Sequence, residues 1–129
     1  MTRKRYDSNT KWEPLVGYSR AVRVGNTIRV SGTTATDATG DVVGRGNPYE
    51  QTKQAIINLA EAIEELGATL DNVVRTRIYV TNIADWPDVG RAHAEAFADI
   101  RPASTMLEVQ RLVDPEMLVE IEAEAVVDS

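Results

Sequence analysis

Residues 119–125 read VEIEAEA, an unbroken alternation of apolar and acidic side chains. Successive side chains of a β-strand point to opposite faces of a sheet, so this period predicts a strand over residues 118–127 with one buried face and one file of carboxylates. A second alternating stretch lies at residues 73–80, where one side carries Arg75, Arg77 and Tyr79. The two stretches together predict a sheet with one apolar face and one charged face.

Two amphipathic helices are predicted to cover the apolar face. Asn47 is a candidate N-cap, and Pro48 suits the first helical position. The helix that follows carries an apolar stripe at three- and four-residue spacing and ends at Gly67. Its other side is predicted to be solvated and carries Gln51, Glu61, Glu64 and Glu65. The second helix begins near Asp85 and ends before Pro102.

The remaining elements are short strands. Residues 18–34 are rich in β-branched side chains and are interrupted by the turn signal Gly25-Asn26, which predicts a β-hairpin. Further strands are predicted at Val42-Val43 and at residues 104–109. The element order is therefore β-β-β-α-β-α-β-β. It indicates an α+β fold, a two-layer domain with a mostly antiparallel six-stranded sheet and two helices on one face.

The length of 129 residues predicts a single domain that spans residues 1–129. The basic cluster Arg3-Lys4-Arg5 is not followed by an apolar stretch, so no secretory signal is expected, and residues 1–13 are predicted to be partly flexible. Cysteine is absent, which excludes disulfides and thiolate chemistry and fits a reducing compartment, so a cytoplasmic location is expected. No run of about 18 apolar residues exists, and no membrane association is expected.

Charge and aromatic content argue against nucleic acid as a partner. The formal net charge is −6, so most of the surface repels phosphate backbones. The chain has one Phe, two Trp and four Tyr, which leaves few side chains on which bases can stack. A small molecule is the expected ligand.

The charged sheet face has three interpretations. If Leu107 and Val109 face the helices, then Ser104, Met106 and Glu108 share this face with the arginines and glutamates. The face is a solvated surface, or a subunit interface where opposed Arg and Glu side chains fix the register, or the source of a catalytic base. The alternation of residues is consistent with all three interpretations.

His93 is the only histidine, and His93-Ala94-Glu95 matches a fragment of the zinc deaminase motif. The zinc deaminases need cysteine ligands, which this chain lacks, so neither a metal site nor another cofactor is predicted. His93 is expected at the edge of the apolar stripe of the second helix. No Ser lies between paired glycines in the context of a nucleophile elbow.

Several segments together resemble the RidA family, also called YjgF or endoribonuclease L-PSP proteins. They are VGYSRAV at 16–22, VSG at 30–32, EQT at 50–52, LDNVV at 70–74, RPA at 101–103 and VEIEA at 119–123. The similarity extends over residues 14–127. It implies a chorismate-mutase-like α+β fold and a homotrimer with small-molecule sites in the clefts between subunits.

The resemblance also implies roles for individual residues. In the deaminating members a Glu of the last strand positions the water that hydrolyses a 2-imino or 2-enamino acid, which implies Glu120 as the catalytic residue. A Tyr and a Ser of the first hairpin line the same cleft in those members. Tyr18 and Ser31 are the matching residues here.

The residues that bind the substrate carboxylate in the family differ in this chain. Deaminating members carry an Arg after the Pro-Ala pair, which holds the substrate carboxylate, whereas this chain has Ser104 there. Met106 stands where a Cys is common, and His93 where an aromatic residue is frequent. Losing a charge-assisted pair removes about 1.5–3 kcal/mol, so 2-imino acid binding is expected to fall. Arg20, beside Tyr18, is a candidate for the missing charge, as are Arg75 and Arg77.

These observations favour a cofactor-independent hydrolase that deaminates a reactive imine, enamine or related small carbonyl compound. The alternative, which Ser104 favours, is a trimer that binds a small ligand without catalysis. A third function, endoribonuclease, rests on the family's other name alone and conflicts with the net charge of −6.

Overall fold

The computed structural model describes residues 2–128. Its strands are β1 (Arg3–Tyr6), β2 (Ala21–Val24), β3 (Thr27–Thr33), β4 (Val73–Val80), β5 (Ala103–Glu108) and β6 (Val119–Val126). Its helices are α1 (Trp12–Val16), α2 (Pro48–Glu65) and α3 (Trp86–Phe97), with single 3-10 turns at Leu70–Asn72 and Ile83–Asp85. The predicted α+β fold is confirmed.

The six strands form one sheet in the order β1-β2-β3-β6-β4-β5. All neighbouring strands pair antiparallel except β4 and β5, which are parallel. The expected mostly antiparallel sheet is therefore present. The helices α2 and α3 contact each other and cover one face, and the opposite face, here called the open face, carries no helix of comparable length.

The alternation along β6 is confirmed. Its apolar side chains are at most 3% exposed and lie under the helices: Val119, Ile121, Ala123 and Ala125. The three glutamates lie on the open face, beside the side chains of β4. There Arg77 pairs with Glu122 at 3.6 Å and with Glu124 at 3.3 Å, and the Tyr79 hydroxyl donates to Glu122 at 2.7 Å.

Helix α2 begins as predicted, since the Asn47 side chain accepts a hydrogen bond from the Glu50 backbone N–H at 3.0 Å. The predicted solvation of Gln51 is wrong. This side chain is fully buried, donates to the Glu116 carbonyl and accepts from the Leu118 N–H, both at 2.8 Å. It therefore fixes the chain immediately before β6. No helix among residues 2–128 is both long and apolar enough to cross a membrane.

Two strands differ from the prediction. Residues Arg3–Tyr6, where the sequence indicates a partly flexible segment, form β1 and pair with β2. Charged side chains on an edge strand protect it from pairing with other chains, so the basic cluster is compatible with a strand. At Val42 the structure has only a single bridge to Thr36 instead of a strand. Gly40 and Gly44, both with positive φ, bend the chain on either side of that bridge.

The structure does not have the orientation of β5 in which Leu107 faces the helices. Ser104 and Met106 lie opposite Thr76 and Ile78 of β4, so they face the helices, whereas Leu107 lies on the open face. The reason is the parallel register with β4, which the period of a short, mixed stretch does not specify. Ser104 and Met106 are therefore separated from the glutamate file by the sheet.

We predict that Gln51→Leu lowers the free energy of unfolding by about 1–3 kcal/mol, because it leaves the partly buried Glu116 carbonyl and Leu118 N–H without their partner. Urea denaturation followed by circular dichroism measures the change. Lys53→Leu, at an exposed position of the same helix, is the matched control. A Gln51→Leu variant as stable as the Lys53→Leu variant would contradict this account.

Candidate active site

Glu120 lies near the start of β6, on the open face, opposite Tyr79 of β4. Its carboxylate rests against Gly32 of β3, so closely that a Cβ at position 32 would overlap Glu120 Oε2. The register between β3 and β6 is irregular between Val30 and Thr33, which is where Gly32 lies. Glycine at this position therefore makes the space that the Glu120 carboxylate occupies.

Arg20 is hydrogen-bonded to residues that surround Glu120. The residue is 5% exposed. Its Nη1 donates to the Gly32 carbonyl and, at 3.2 Å, to Thr33 Oγ1. Nη2 donates to the Tyr18 hydroxyl and contacts Glu13 Oε2, both at 3.3 Å. Both terminal nitrogens of the guanidinium are thus hydrogen-bonded to groups inside the protein.

Glu13, on α1, supplies the counter-charge and is 2% exposed. Its carboxylate accepts hydrogen bonds from the Ser8 backbone N–H and the Thr10 hydroxyl at 2.6 Å, and from the Ser8 hydroxyl. Burial raises the pKa of Glu13, but the hydrogen bonds from Ser8 and Thr10 and the charge of Arg20 outweigh it, so the pKa is lowered. The carboxylate is ionised at neutral pH and forms a buried ion pair with Arg20.

Tyr18 and Ser31 are held next to this ion pair. Because the Tyr18 oxygen accepts from Arg20, its own proton is available to a ligand. The Ser31 hydroxyl donates to the Ser19 carbonyl at 2.7 Å, and its backbone N–H donates to the Arg20 carbonyl at 2.9 Å. Both residues line the same concavity as Glu120.

This concavity, which we call the Glu120 cleft, has a volume of about 350 Å³. Its polar lining includes Tyr18, Ser31 and Glu120, and the Gly32 backbone also lines it. Its apolar lining is formed by Trp12, Val16, Val113 and Met117. A cleft of this size with few convergent polar groups is typical of a site for a small organic molecule.

Glu120 is a weaker acid than an ordinary glutamate. Burial raises its pKa, the nearby Glu122 raises it further, and Arg20 opposes the shift. A carboxylate that holds its proton more tightly is a better proton acceptor once it is ionised, as general base catalysis requires. The cleft therefore contains a group suited to taking a proton from water.

The other predicted site residues lie elsewhere. Ser104 and Met106 are on β5, on the helix side of the sheet, and Met106 packs against the core. The Ser104 hydroxyl is hydrogen-bonded to Thr76 Oγ1 at 2.8 Å, and Thr76 Oγ1 lies 3.0 Å from His93 Nε2. His93 lines a second concavity, here called the His93 groove, with Ala94, Phe97, Ala98, Arg101 and Pro102. Within one chain, the cleft and the groove share no lining residue.

Sequence reasoning missed Glu13, Gly32 and Thr76. Glu13 precedes the recognisable hairpin segment, and no local pattern marks it as buried. Gly32 belongs to the quoted VSG segment. A glycine inside a strand can indicate that another group lies close to the backbone, and this was the available signal. Thr76 sits on the buried side of the alternation of β4, where a lone hydroxyl among apolar side chains needs a hydrogen-bond partner.

The described residues, 2–128, contain no group of three or more His, Asp or Glu side chains that could hold a metal ion.

Comparison with known proteins gives consistent results. The family model described as Endoribonuclease L-PSP matches residues 9–127. The chain is 34% identical over 120 residues to the mouse protein named 2-iminobutanoate/2-iminopropanoate deaminase, covering 92% of this chain and 88% of that protein. It is 32% identical over 108 residues to 3-aminoacrylate deaminase RutC of Acinetobacter baylyi, covering 84% and 85%.

A solved structure is also similar. It is that of a Mycobacterium tuberculosis protein described as a member of the highly conserved YjgF/YER057c/UK114 family. The TM-score is 0.89 and the sequence identity 45%, and the match covers 98% of this chain and 100% of that one.

We predict that Glu13→Gln lowers the free energy of unfolding by about 3–5 kcal/mol at neutral pH, because Arg20 is left buried without a counter-charge. The lowered pKa of Glu13 stabilises the fold above the ordinary value of 4.5, and this contribution is lost as the pH falls through the folded-state pKa. The stabilities of the variant and the wild type should therefore converge in acid.

Denaturant titrations at a series of pH values measure this difference. Glu116→Gln is the control, since the ion pair of Glu116 with Arg45 is solvent-exposed and should contribute about 0–1 kcal/mol. Equal losses in the two variants would show that the Glu13–Arg20 pair does not support the cleft.

Proposed function

We propose that this chain, which belongs to the endoribonuclease L-PSP family, is a hydrolase that deaminates a small reactive imine or enamine in a cleft between subunits of a homotrimer. The observation that carries the proposal is the half-buried Glu120 carboxylate, of raised pKa, in a cleft with the Tyr18 and Ser31 hydroxyls. The names of the mouse and Acinetobacter relatives support the same reaction type.

Glu120 acts as the general base. Its carboxylate accepts a proton from a water molecule while the water oxygen bonds to the carbon of the C=N group, and it passes this proton to the nitrogen, which gives a carbinolamine. The carboxylate then takes the remaining hydroxyl proton as the C=O bond forms and delivers it to the nitrogen as the C–N bond breaks, which releases ammonia and leaves a carbonyl compound. An enamine first tautomerises to the imine, as its β-carbon gains a proton and its nitrogen loses one. Water is the only co-reactant.

Tyr18 orients the substrate by hydrogen bonding. Its hydroxyl accepts from Arg20 and so directs its proton away from the guanidinium, toward the cleft. Arg20 acts through Tyr18 and the Gly32 carbonyl and is a positioning residue. Its charge also opposes the rise in the pKa of Glu120, which favours the ionised form that accepts a proton.

A homotrimer accounts for the separation of the two sets of site residues. The Glu120 cleft and the His93 groove lie on different parts of one chain, so one substrate contacts both only if a second copy brings its groove to the first copy's cleft. The charged open face, with Arg77 bridging Glu122 and Glu124, fits a partly buried interface between such copies.

A second candidate function is binding without catalysis. Ser104 favours it, because it stands where the deaminating relatives hold the substrate carboxylate with an Arg. In that case the trimer binds a small ligand in the same cleft, and Glu120 contributes hydrogen bonds without proton transfer.

We predict that Glu120→Gln lowers kcat by about 10²–10⁴-fold while binding persists, because the amide keeps the shape but cannot accept a proton. Ammonia release is measured with 2-imino acids formed in place by an amino-acid oxidase and with 3-aminocrotonamide. The wild-type kcat/KM should fall as the pH falls through the raised pKa of Glu120. Glu122→Gln should move this limb to lower pH, since it removes a neighbouring negative charge.

Glu124→Gln is the matched control on the same strand face and should keep the wild-type rate. A Glu120→Gln enzyme with an unchanged rate would place the base elsewhere. A wild-type protein that binds these compounds without releasing ammonia would favour the binding trimer.

The assembly makes a second prediction. Light scattering should give the mass of a trimer at micromolar concentration. Glu120→Gln, which lacks the base, and Ser104→Trp, which fills the opposite half of the site, should each be inactive as pure trimers. An interface site takes its two halves from different copies of the chain. In an equimolar, co-assembled mixture of the two variants, about one site in four therefore has both halves intact, and the mixture should regain roughly a quarter of the wild-type activity. A monomer mass, or mixtures with no recovered activity, would contradict a shared site.

A further inference from the structure

Ser104, Thr76 and His93 form a chain of hydrogen bonds that the proposed hydrolysis does not use. The Thr76 hydroxyl, which is completely buried, lies 2.8 Å from Ser104 Oγ and 3.0 Å from His93 Nε2. The His93 ring also packs on Phe97, with 4.6 Å between ring centroids. The three polar side chains thus connect the His93 groove with the exposed edge of β5, beneath α3.

Two directions are consistent with the hydrogen bonds in this chain, because the Thr76 hydroxyl has a single proton. Either Thr76 donates to Ser104 and accepts from a proton on His93 Nε2, or Ser104 donates to Thr76 and Thr76 donates to an unprotonated Nε2. Burial lowers the pKa of His93, so the ring is neutral at neutral pH. In the first direction Ser104 accepts from Thr76, and no bond donated by its hydroxyl to another of residues 2–128 is found, which leaves that proton for a ligand.

We propose that this relay makes Ser104 a neutral hydrogen-bond donor to a neutral carbonyl oxygen, so that the substrate is an imine or enamine bearing an amide, ester or ketone group and not a carboxylate. The inference rests on the proposed function, because it names the substrate class of that site. Thr76 and His93 are positioning residues in this scheme, and Ser104 is the residue that contacts the ligand.

The positive charges available in the cleft and the groove decide whether the site binds a neutral carbonyl or a carboxylate. A carboxylate that leaves water needs a positive partner, whereas a neutral carbonyl needs only a donor. In the Glu120 cleft the one cation among the lining residues is Arg20, and its guanidinium is engaged with Glu13, Gly32 and Tyr18. In the His93 groove the one cation among the lining residues is Arg101.

Arg101 is therefore the competing candidate for binding an anion. It is exposed and has a φ of 52°, and its backbone N–H closes α3 by donating to the Phe97 carbonyl at 2.8 Å. The left-handed conformation is thus explained by the end of the helix. The test includes Arg101 as a control position.

Crotonamide and crotonate are suitable probes, because they have the same carbon skeleton and differ in a neutral amide against a carboxylate. Titration into the full-length protein, followed by NMR, should show tighter binding of crotonamide. Ser104→Ala and Thr76→Val should each weaken crotonamide about two- to tenfold, as expected for the loss of one hydrogen bond or of its orientation. Arg101→Gln should keep the preference for crotonamide, because Ser104 and not Arg101 sets it, and Ser104→Arg should reverse the preference in favour of crotonate.

The relay itself has a separate readout. Long-range proton–nitrogen NMR of the His93 ring should show the tautomer protonated on Nε2 in the wild type. His93→Gln, whose amide can donate to Thr76, should keep more crotonamide affinity than His93→Ala. Tighter binding of crotonate, crotonamide affinity that is unchanged in both Ser104→Ala and Thr76→Val, or a ring protonated on Nδ1 would each overturn the proposal.

Failure of the proposed function gives a different result. If the wild type prefers crotonamide through Ser104 but does not release ammonia from 3-aminocrotonamide, the donor role of Ser104 is supported and the hydrolase assignment is contradicted.

Discussion

The buried ion pair between Arg20 and Glu13 is the interaction on which the rest of the site depends. It joins α1 to the start of β2, and through the Gly32 carbonyl it fixes the part of β3 against which Glu120 lies. Removing two charges from water is costly, and Ser8 and Thr10 offset that cost by completing the hydrogen bonds of the carboxylate. The segment after β1 is therefore part of the site's construction, and its Thr10 also lines the Glu120 cleft.

The fold was predictable where the sequence carries a strong period. The alternation over residues 119–125 identifies β6 and its buried side, and the Asn47-Pro48 signal identifies the start of α2. The errors fall where a tertiary contact overrides a local pattern. Gln51 looks solvated until its two backbone partners before β6 are known, and β5 is too short and mixed for its period to specify which face is buried.

The site was predictable to a similar extent. The family resemblance is confirmed, and Tyr18, Ser31 and Glu120, which it singled out, line one cleft. Glu13 and Thr76 carry no local signal, because their importance comes from partners distant in sequence: Arg20 across α1 and β2, and the Ser104 and His93 side chains across β4, β5 and α3. The two groups of residues differ in character, one built around an ion pair with a basic carboxylate and the other around a neutral relay. In the function proposed above, the first group moves a proton and the second recognises a ligand oxygen.

The central claim is that one ligand contacts both halves, each from a different copy of the chain. The most direct measurement is an experimental structure of the assembled protein with crotonamide bound. The account predicts a single molecule that lies between Glu120 and Tyr18 of one subunit and the Ser104 hydroxyl of its neighbour, with the amide oxygen accepting from Ser104. A ligand enclosed by Glu120 alone, with Ser104 facing solvent or buried against a different surface, would contradict it.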